Sequence, residues 1–445
     1  MDILGLTPHF GGFLYTVVTF VIALSIIVAV HEFGHYIVGR WSGIQAEVFS
    51  LGFGPRLISR TDKRGTRWQI SAIPLGGYVR FLGDSNAASG KDGEAMAALS
   101  PQDLRRSMHG APLWARAATV AAGPVFNFVL SIVVFAGLYL AMGVPSNTPV
   151  VGGLVPLPGQ VQTLKVGDKI LAVNGTATPD SKTFAGVVNQ LPEAASTKYT
   201  VERAGQTLTL DGPFPFPPLV GQVQPQSAAA AAGIQVGDVI QSVDGAPIGT
   251  FNQLRVAVGQ SSGKPMALAV WRDGKTLSLT LTPKRMDVPA AGGAFETRWL
   301  IGIVGNLAFE PVMRTPGPFE AVRMAVSQIG FIVQTNVSGL YHMLTGAISS
   351  CNLKGPVGIA EASGAVASQG AAEFIGFIAM LSTAVGLLNL FPVPVLDGGH
   401  LVFFAWEALT GRPPSEGALK LLMGGGIMLI LTLVLFSLSN DVFCP

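Results

Sequence analysis

Charged side chains are scarce in this sequence. Asp, Glu, Lys and Arg together make up 12% of its 445 residues, about half the 25% or so of an ordinary soluble domain. The net charge of only +2 gives no electrostatic footprint for nucleic acid. Cysteine is scarcer still: Cys351 and Cys444 lie far apart, without metal-ligand spacing. That argues against a thiolate zinc site and a disulfide framework, and it leaves open whether the two pair. Basic residues are missing from the N-terminus, where Asp2 is the only charge before His31. The apolar stretch there is longer than a signal-peptide core, so it reads as a retained membrane helix.

Apolar residues are abundant: 49% of the chain, with a mean hydropathy of +0.49. Residues 10–30, 117–144 and 374–396 are uncharged and long enough to span a bilayer, and 421–438 is a shorter fourth candidate. Eleven Lys and Arg fall between Arg40 and Arg116, which places that segment on the inner side. Residues 145–373 and both termini are then outside, and 397–420 is inside. Residues 329–348 are also uncharged, but Gln334, Asn336 and His342 are costly in lipid. Helices lying on the membrane surface, over 311–373, are expected there instead.

The outer segment contains a repeat. Val166-Gly167-Asp168-Lys169-Ile170 with Val173-Asn174-Gly175 returns 70 residues later as Val236-Gly237-Asp238-Val239-Ile240 with Val243-Asp244-Gly245. Each copy reads as a strand ending in a tight turn, followed by a helical patch. Two small β/α modules in tandem, 145–215 and 216–310, fit the spacing. The second copy, led by Ala231-Ala232-Gly233-Ile234, resembles the PDZ signature. On the inner side, residues 48–81 read as strands broken at Gly52-Phe53-Gly54-Pro55 and at Gly76-Gly77, and 84–100 as a flexible loop.

The chemistry lies in His31-Glu32-Phe33-Gly34-His35. On a helix the two imidazoles share one face, a turn apart, and can hold one zinc ion. Glu32 is placed to act as general base for the attacking water. A soluble helix could carry the same residues on a solvated face. Directly after an uncharged span, however, ionisable groups are expensive and usually functional. A catalytic zinc needs a third protein ligand. Asp397 is the best candidate, in Asn389-Leu390-Phe391-Pro392-Val393-Pro394-Val395-Leu396-Asp397-Gly398-Gly399. The prolines break the helix, which membrane depth tolerates only where backbone is buried or lines a cavity. The simpler alternative is an Asp that caps the next helix. With four spans, His31–His35 and Asp397 end on the same side and can meet; a fifth span would separate them.

His31-Glu32-x-x-His35 and Asn389-x-x-Pro392-x-Pro394-x-x-Asp397-Gly398, with PDZ-like modules between, resemble the site-2 protease family over nearly the whole chain. The resemblance implies a polytopic α-helical membrane protein of the bacterial inner membrane. It would have four transmembrane helices, a membrane-associated β-loop within 41–116 and two periplasmic PDZ domains. One Zn²⁺ per chain would be held by His31, His35 and Asp397, on the cytoplasmic side, with Glu32 catalytic. Asn389, with Pro392, Pro394, Ile73, Gly76 and Gly77, would contact the substrate. The implied task is regulated intramembrane proteolysis. Its substrates would be single-pass membrane proteins, such as a pre-cleaved anti-sigma factor in envelope stress, and remnant signal peptides. The partners are these substrates and the lipid bilayer, with no nucleic acid.

Two other classes are weighed against this one. A PDZ adaptor or chaperone that binds without cutting fits poorly with an intact set of four catalytic positions. A metal transporter would show paired broken helices in related halves, which the four spans lack. A helical substrate must unwind before hydrolysis, exposing backbone groups that cost several kcal/mol each in lipid. The sheet edge within 68–81 and Asn389 are expected to clamp the unwound strand.

Overall fold

A computed structural model describes residues 7–85, 93–159, 162–194, 196–290 and 295–444. The chain forms two compact units, one built from residues up to Leu138 and from Pro318 onward, the other from Tyr139–Gly317.

The first unit is helical. Its main helices are α1 (Thr7–Trp41), α2 (Leu113–Met142), α3 (Pro318–Leu344), α4 (Pro356–Gln369), α5 (Ala371–Asn389), α6 (Asp397–Thr410) and α7 (Glu416–Phe443). Four helices among the described residues are long and apolar enough to cross a membrane: Gly12–Trp41, Leu113–Met142, Ala371–Asn389 and Glu416–Phe443. The segment read as surface helices, 311–373, contains α3 and α4, neither of which is one of the four.

Several expectations are corrected here. The third apolar run is not helical to its end. α5 stops at Asn389, and Asp397 opens α6 rather than closing α5. Pro392 and Pro394 lack an N–H and push their predecessors out of helical geometry. Gly398 and Gly399 let the intervening turn fold back onto α6. A Cβ on them would lie 2.3 Å from the Leu390 carbonyl and 2.2 Å from that of Val393. Residues 398–420, expected as a loop, are therefore mostly helix. The loop expected over 84–100 falls partly outside the described residues, and Gly93–Ala97 within it is helical. Cys351 and Cys444 form a disulfide, beside which Asp441 accepts the Gly355, Val357 and Gly358 N–H groups that begin α4.

Between α1 and α2 run two long bent strands, β1 (Ala46–Thr61) and β2 (Arg67–Phe81). Their register shows that each serves twice. Residues 46–51 lie between 77–81 and 67–70, while 67–71 also pairs with 56–61. The glycines read as breaks are the corners of these bends: Gly52, Gly54 and Gly76 have φ of 87°, 83° and 136°, which only glycine adopts without strain. The free edges are thus 56–61 and 77–81. Residues 68–71 are internal and cannot receive an added strand.

The second unit contains the repeat as two sheets. One orders its strands as Thr176–Ala177, Lys169–Val173, Ser196–Arg203, Gln206–Pro213; the other as Ala246–Pro247, Val239–Val243, Met266–Arg272, Lys275–Leu281. The likeness extends to single hydrogen bonds. Buried Asp168 takes both arms of Arg203, and Asp238 those of Arg272. Asn174 and Asp244 sit at positive φ and accept the N–H groups of Lys198 and Ala267. The modules are nested rather than in tandem. Phe309–Pro311, past most of the second copy, returns to pair with Val151–Leu154 of the first. Phe309 is buried in that first core beside Val151 and Phe184. The pairing covers a strand that would otherwise be an open edge.

Burial pushes the Asp168 carboxyl up, but the hydrogen bonds from Arg203 and the Lys165 N–H outweigh it and hold the group below its ordinary range. Because the folded carboxyl is the more acidic, its contribution to stability is complete above the ordinary value of 3.8 and is lost as the pH falls below it. Asp168→Asn should speed amide exchange across 196–213 relative to wild type at pH 7, by a ratio that shrinks toward pH 3. A ratio near one at pH 7 would mean that the pair does not stabilise the module.

Candidate metal centre

The motif helix α1 runs unbroken through His31–His35, so the i, i+4 spacing brings its two rings together, edge to face at 4.8 Å between centroids. Their Nε2 atoms are 3.2 Å apart. Asp397 Oδ2, at the first turn of α6, is 3.2 Å from His31 Nε2 and 3.5 Å from His35 Nε2. Oδ2 is buried without a hydrogen-bond partner, and the side chain does not cap its own helix. Three ligand atoms bound tetrahedrally at about 2.0–2.1 Å would stand roughly 3.3 Å from one another. The observed triangle therefore fits zinc. Among the described residues, His31, His35 and Asp397 are the group that can hold a metal.

Glu32 lies next to this triangle, with the Val79 main chain beside its carboxylate. The edge 77–81 is thereby set against α1. A Cβ on Gly77 would lie 2.9 Å from Val28 and 3.2 Å from the Glu32 side chain, so this glycine permits the contact. Ile73 and Gly76 sit at the bend instead, against Phe53. Asn389 ends α5, and Pro392 and Pro394 lie on the turn before Asp397, with Pro394 packed near Gly426 of α7.

The second span carries more of the site than its apolar sequence announces. His35 Nδ1 bonds the Thr119 carbonyl at 2.9 Å. The Asn127 side chain is 3.2 Å from His31 Nδ1. α1 and α2 touch through glycine: a Cβ on Gly34 would lie 2.5 Å from the Ala122 carbonyl, and one on Gly123 would lie 2.3 Å from His35 Nε2. Arg116, at the start of α2, holds Glu407 of α6 with both nitrogens, at 3.1 and 2.6 Å. The legible signal for all this was a polar Asn and a Pro inside an uncharged span, each needing a reason at membrane depth.

Gly123→Val should lower metal affinity at least about tenfold, since displaced supporting groups alone cost roughly 10–100-fold. Metal analysis of the purified chain checks this, and wild-type metal content would show that the helices do not meet as described.

Comparison with known proteins agrees with the geometry. The sequence profile of peptidase family M50 matches residues 19–433. A provisionally named zinc metalloprotease of Agrobacterium fabrum is 38% identical over 431 residues, covering 96% of this chain and 95% of the relative. One of Rhizobium meliloti is likewise 38% identical over 434 residues, 96% of each. The regulator of sigma E protease of Salmonella typhimurium is 35% identical over 460 residues, covering 96% of this chain and 98% of its own. With the family profile spanning both ligand motifs and relatives matched almost end to end, the chain belongs to peptidase family M50, the site-2 proteases.

Proposed function

We propose that this chain is a zinc endopeptidase that hydrolyses peptide bonds within the membrane segments of single-pass proteins. The observation that carries the reading is the triangle of His31, His35 and Asp397 with Glu32 beside it, where the first turn of α6 meets a helix apolar enough to cross a membrane. When bound, zinc polarises the scissile carbonyl and makes water more acidic. Glu32 takes the proton from the attacking water as its oxygen bonds the carbonyl carbon, then passes it to the leaving amine as the C–N bond breaks. The Thr119 carbonyl holds the His35 ring with Nε2 toward the ion. The substrate strand lies along the edge at 77–81, close to Glu32, and Asn389 bonds its backbone from the other side.

The orientation has two independent supports. The basic segment 40–116 favours the inner side. The Cys351–Cys444 bond favours an oxidising compartment for the C-terminal end of α7. α4, capped there by Asp441, also meets Thr16 in the first half of α1. Both ends therefore belong outside, and His35, Asp397 and α6 toward the inside. Tyr139–Gly317 then forms a pair of periplasmic PDZ modules. The Salmonella relative's name points to control of a sigma factor, and we infer that the biological task is cleavage of a membrane-bound anti-sigma factor. Remnant signal peptides are a second substrate class.

Two experiments test this. Glu32→Gln should abolish cleavage of a membrane-peptide reporter while keeping zinc, whereas Asp397→Asn should weaken both. Full activity in Glu32→Gln would end the reading. Reporters fused after residues 90 and 415 should read cytoplasmic and one near residue 260 periplasmic; a cytoplasmic reading at 260 contradicts the four-span orientation.

A further inference from the structure

We propose that Asn127 is a positioning residue for the metal, its side-chain carbonyl accepting the Nδ1–H of His31 and so directing the Nε2 lone pair of that ring to the ion. The proposal rests on the metal site proposed above.

Asn127 is fully buried in α2. The amide nitrogen is placed 3.2 Å from His31 Nδ1, and Oδ1 has no partner. The two ends of an amide are nearly indistinguishable in shape, so its orientation is fixed by what it bonds. The unpartnered Oδ1 does not by itself decide the orientation. His31 does. A nitrogen donating to Nδ1 would require the ring proton on Nε2, the atom that faces His35 Nε2 and Asp397 Oδ2. A ring that ligates through Nε2 must instead carry its proton on Nδ1 and needs an acceptor there. Turning the amide end over places Oδ1 in that position.

The neighbouring ligand has the same arrangement. His35 Nδ1 meets the Thr119 carbonyl on the same helix, two turns earlier. α2 thus offers an acceptor to each imidazole, one from the backbone and one from a side chain. A carbonyl is present whatever residue stands at 119, whereas the acceptor for His31 depends on the identity of residue 127. The backbone that carries Asn127 is also held in place. Its main-chain carbonyl accepts hydroxyls from Ser131 and from Ser382 of α5. Gly386 of α5 allows close packing, since a Cβ there would lie 3.1 Å from Asn127 Cβ. A group anchored between two spans and aimed at a ring nitrogen is suited to fix that ring.

The test uses the purified full-length chain in detergent, with zinc affinity measured by competition against a chelator. Asn127→Leu keeps the bulk and removes the acceptor, and Asn127→Ala removes both. Asn127→Asp keeps an acceptor in the same place. The leucine and alanine variants should bind zinc about 10–100-fold more weakly than wild type. The aspartate variant should match wild type or bind more tightly. The metal-free chain should keep the helix content of wild type in both Asn127→Leu and Asn127→Asp, which separates positioning from loss of the fold. Wild-type affinity in Asn127→Leu or Asn127→Ala, or equal weakening in Asn127→Asp and Asn127→Leu, would overturn the proposal. Failure of the wild-type chain itself to take up zinc would instead remove the metal site on which the proposal depends.

Discussion

Two imidazoles and a carboxylate must meet at one point among helices that are otherwise apolar, and the rest of the first unit follows from that constraint. A charge taken into a membrane without a partner is costly. A metal ion held by all three groups offsets that cost, and an unpaired charge does not. The convergence is possible because α1 and α2 approach to glycine distance at Gly34 and Gly123. It also needs Asp397 at the very start of a helix, where the N-terminal dipole favours its charge.

The surrounding structure serves to hold that approach. Arg116 and Glu407 tie α2 to α6, with Phe404 beneath the guanidinium. Ser131 and Ser382 cross between α2 and α5 through main-chain carbonyls. The prolines and paired glycines before α6 turn the chain so that Asp397 faces α1. The bent sheet brings Gly77 and Val79 against Glu32 on the remaining side. At the far ends of the helices, the disulfide, Asp441 and Asn440 fasten α7 to the beginning of α4. α7 is therefore held near Cys444 and, through Gly426, at Pro394 and Val395 beside the ligand turn.

What the sequence made legible was local. His31 and His35 are one helical turn apart, and Asp397 is the first charge after a long apolar run; both signals need only a few neighbouring residues. The repeat was legible for the same reason, down to Asn174-Gly175 and Asp244-Gly245 as tight turns. The illegible part was long-range. Return of Phe309 to the first module, pairing of Cys351 with Cys444 and the double use of β1 and β2 depend on partners distant in the chain. Gly52, Gly54 and Gly76 carried an ambiguous signal, because a residue at positive φ can end a strand or bend it. The acceptor for His35 was hidden most completely, since it is the carbonyl of Thr119 and any residue would supply one.

The account depends first on the ligands. X-ray absorption at the zinc edge of the purified full-length chain reads them directly. A four-coordinate site with two imidazole nitrogens at about 2.0–2.1 Å and oxygen at about 2.0–2.2 Å, losing one imidazole in His35→Ala, is the predicted result. Sulfur in the coordination shell, or a spectrum unchanged in His35→Ala, would contradict it.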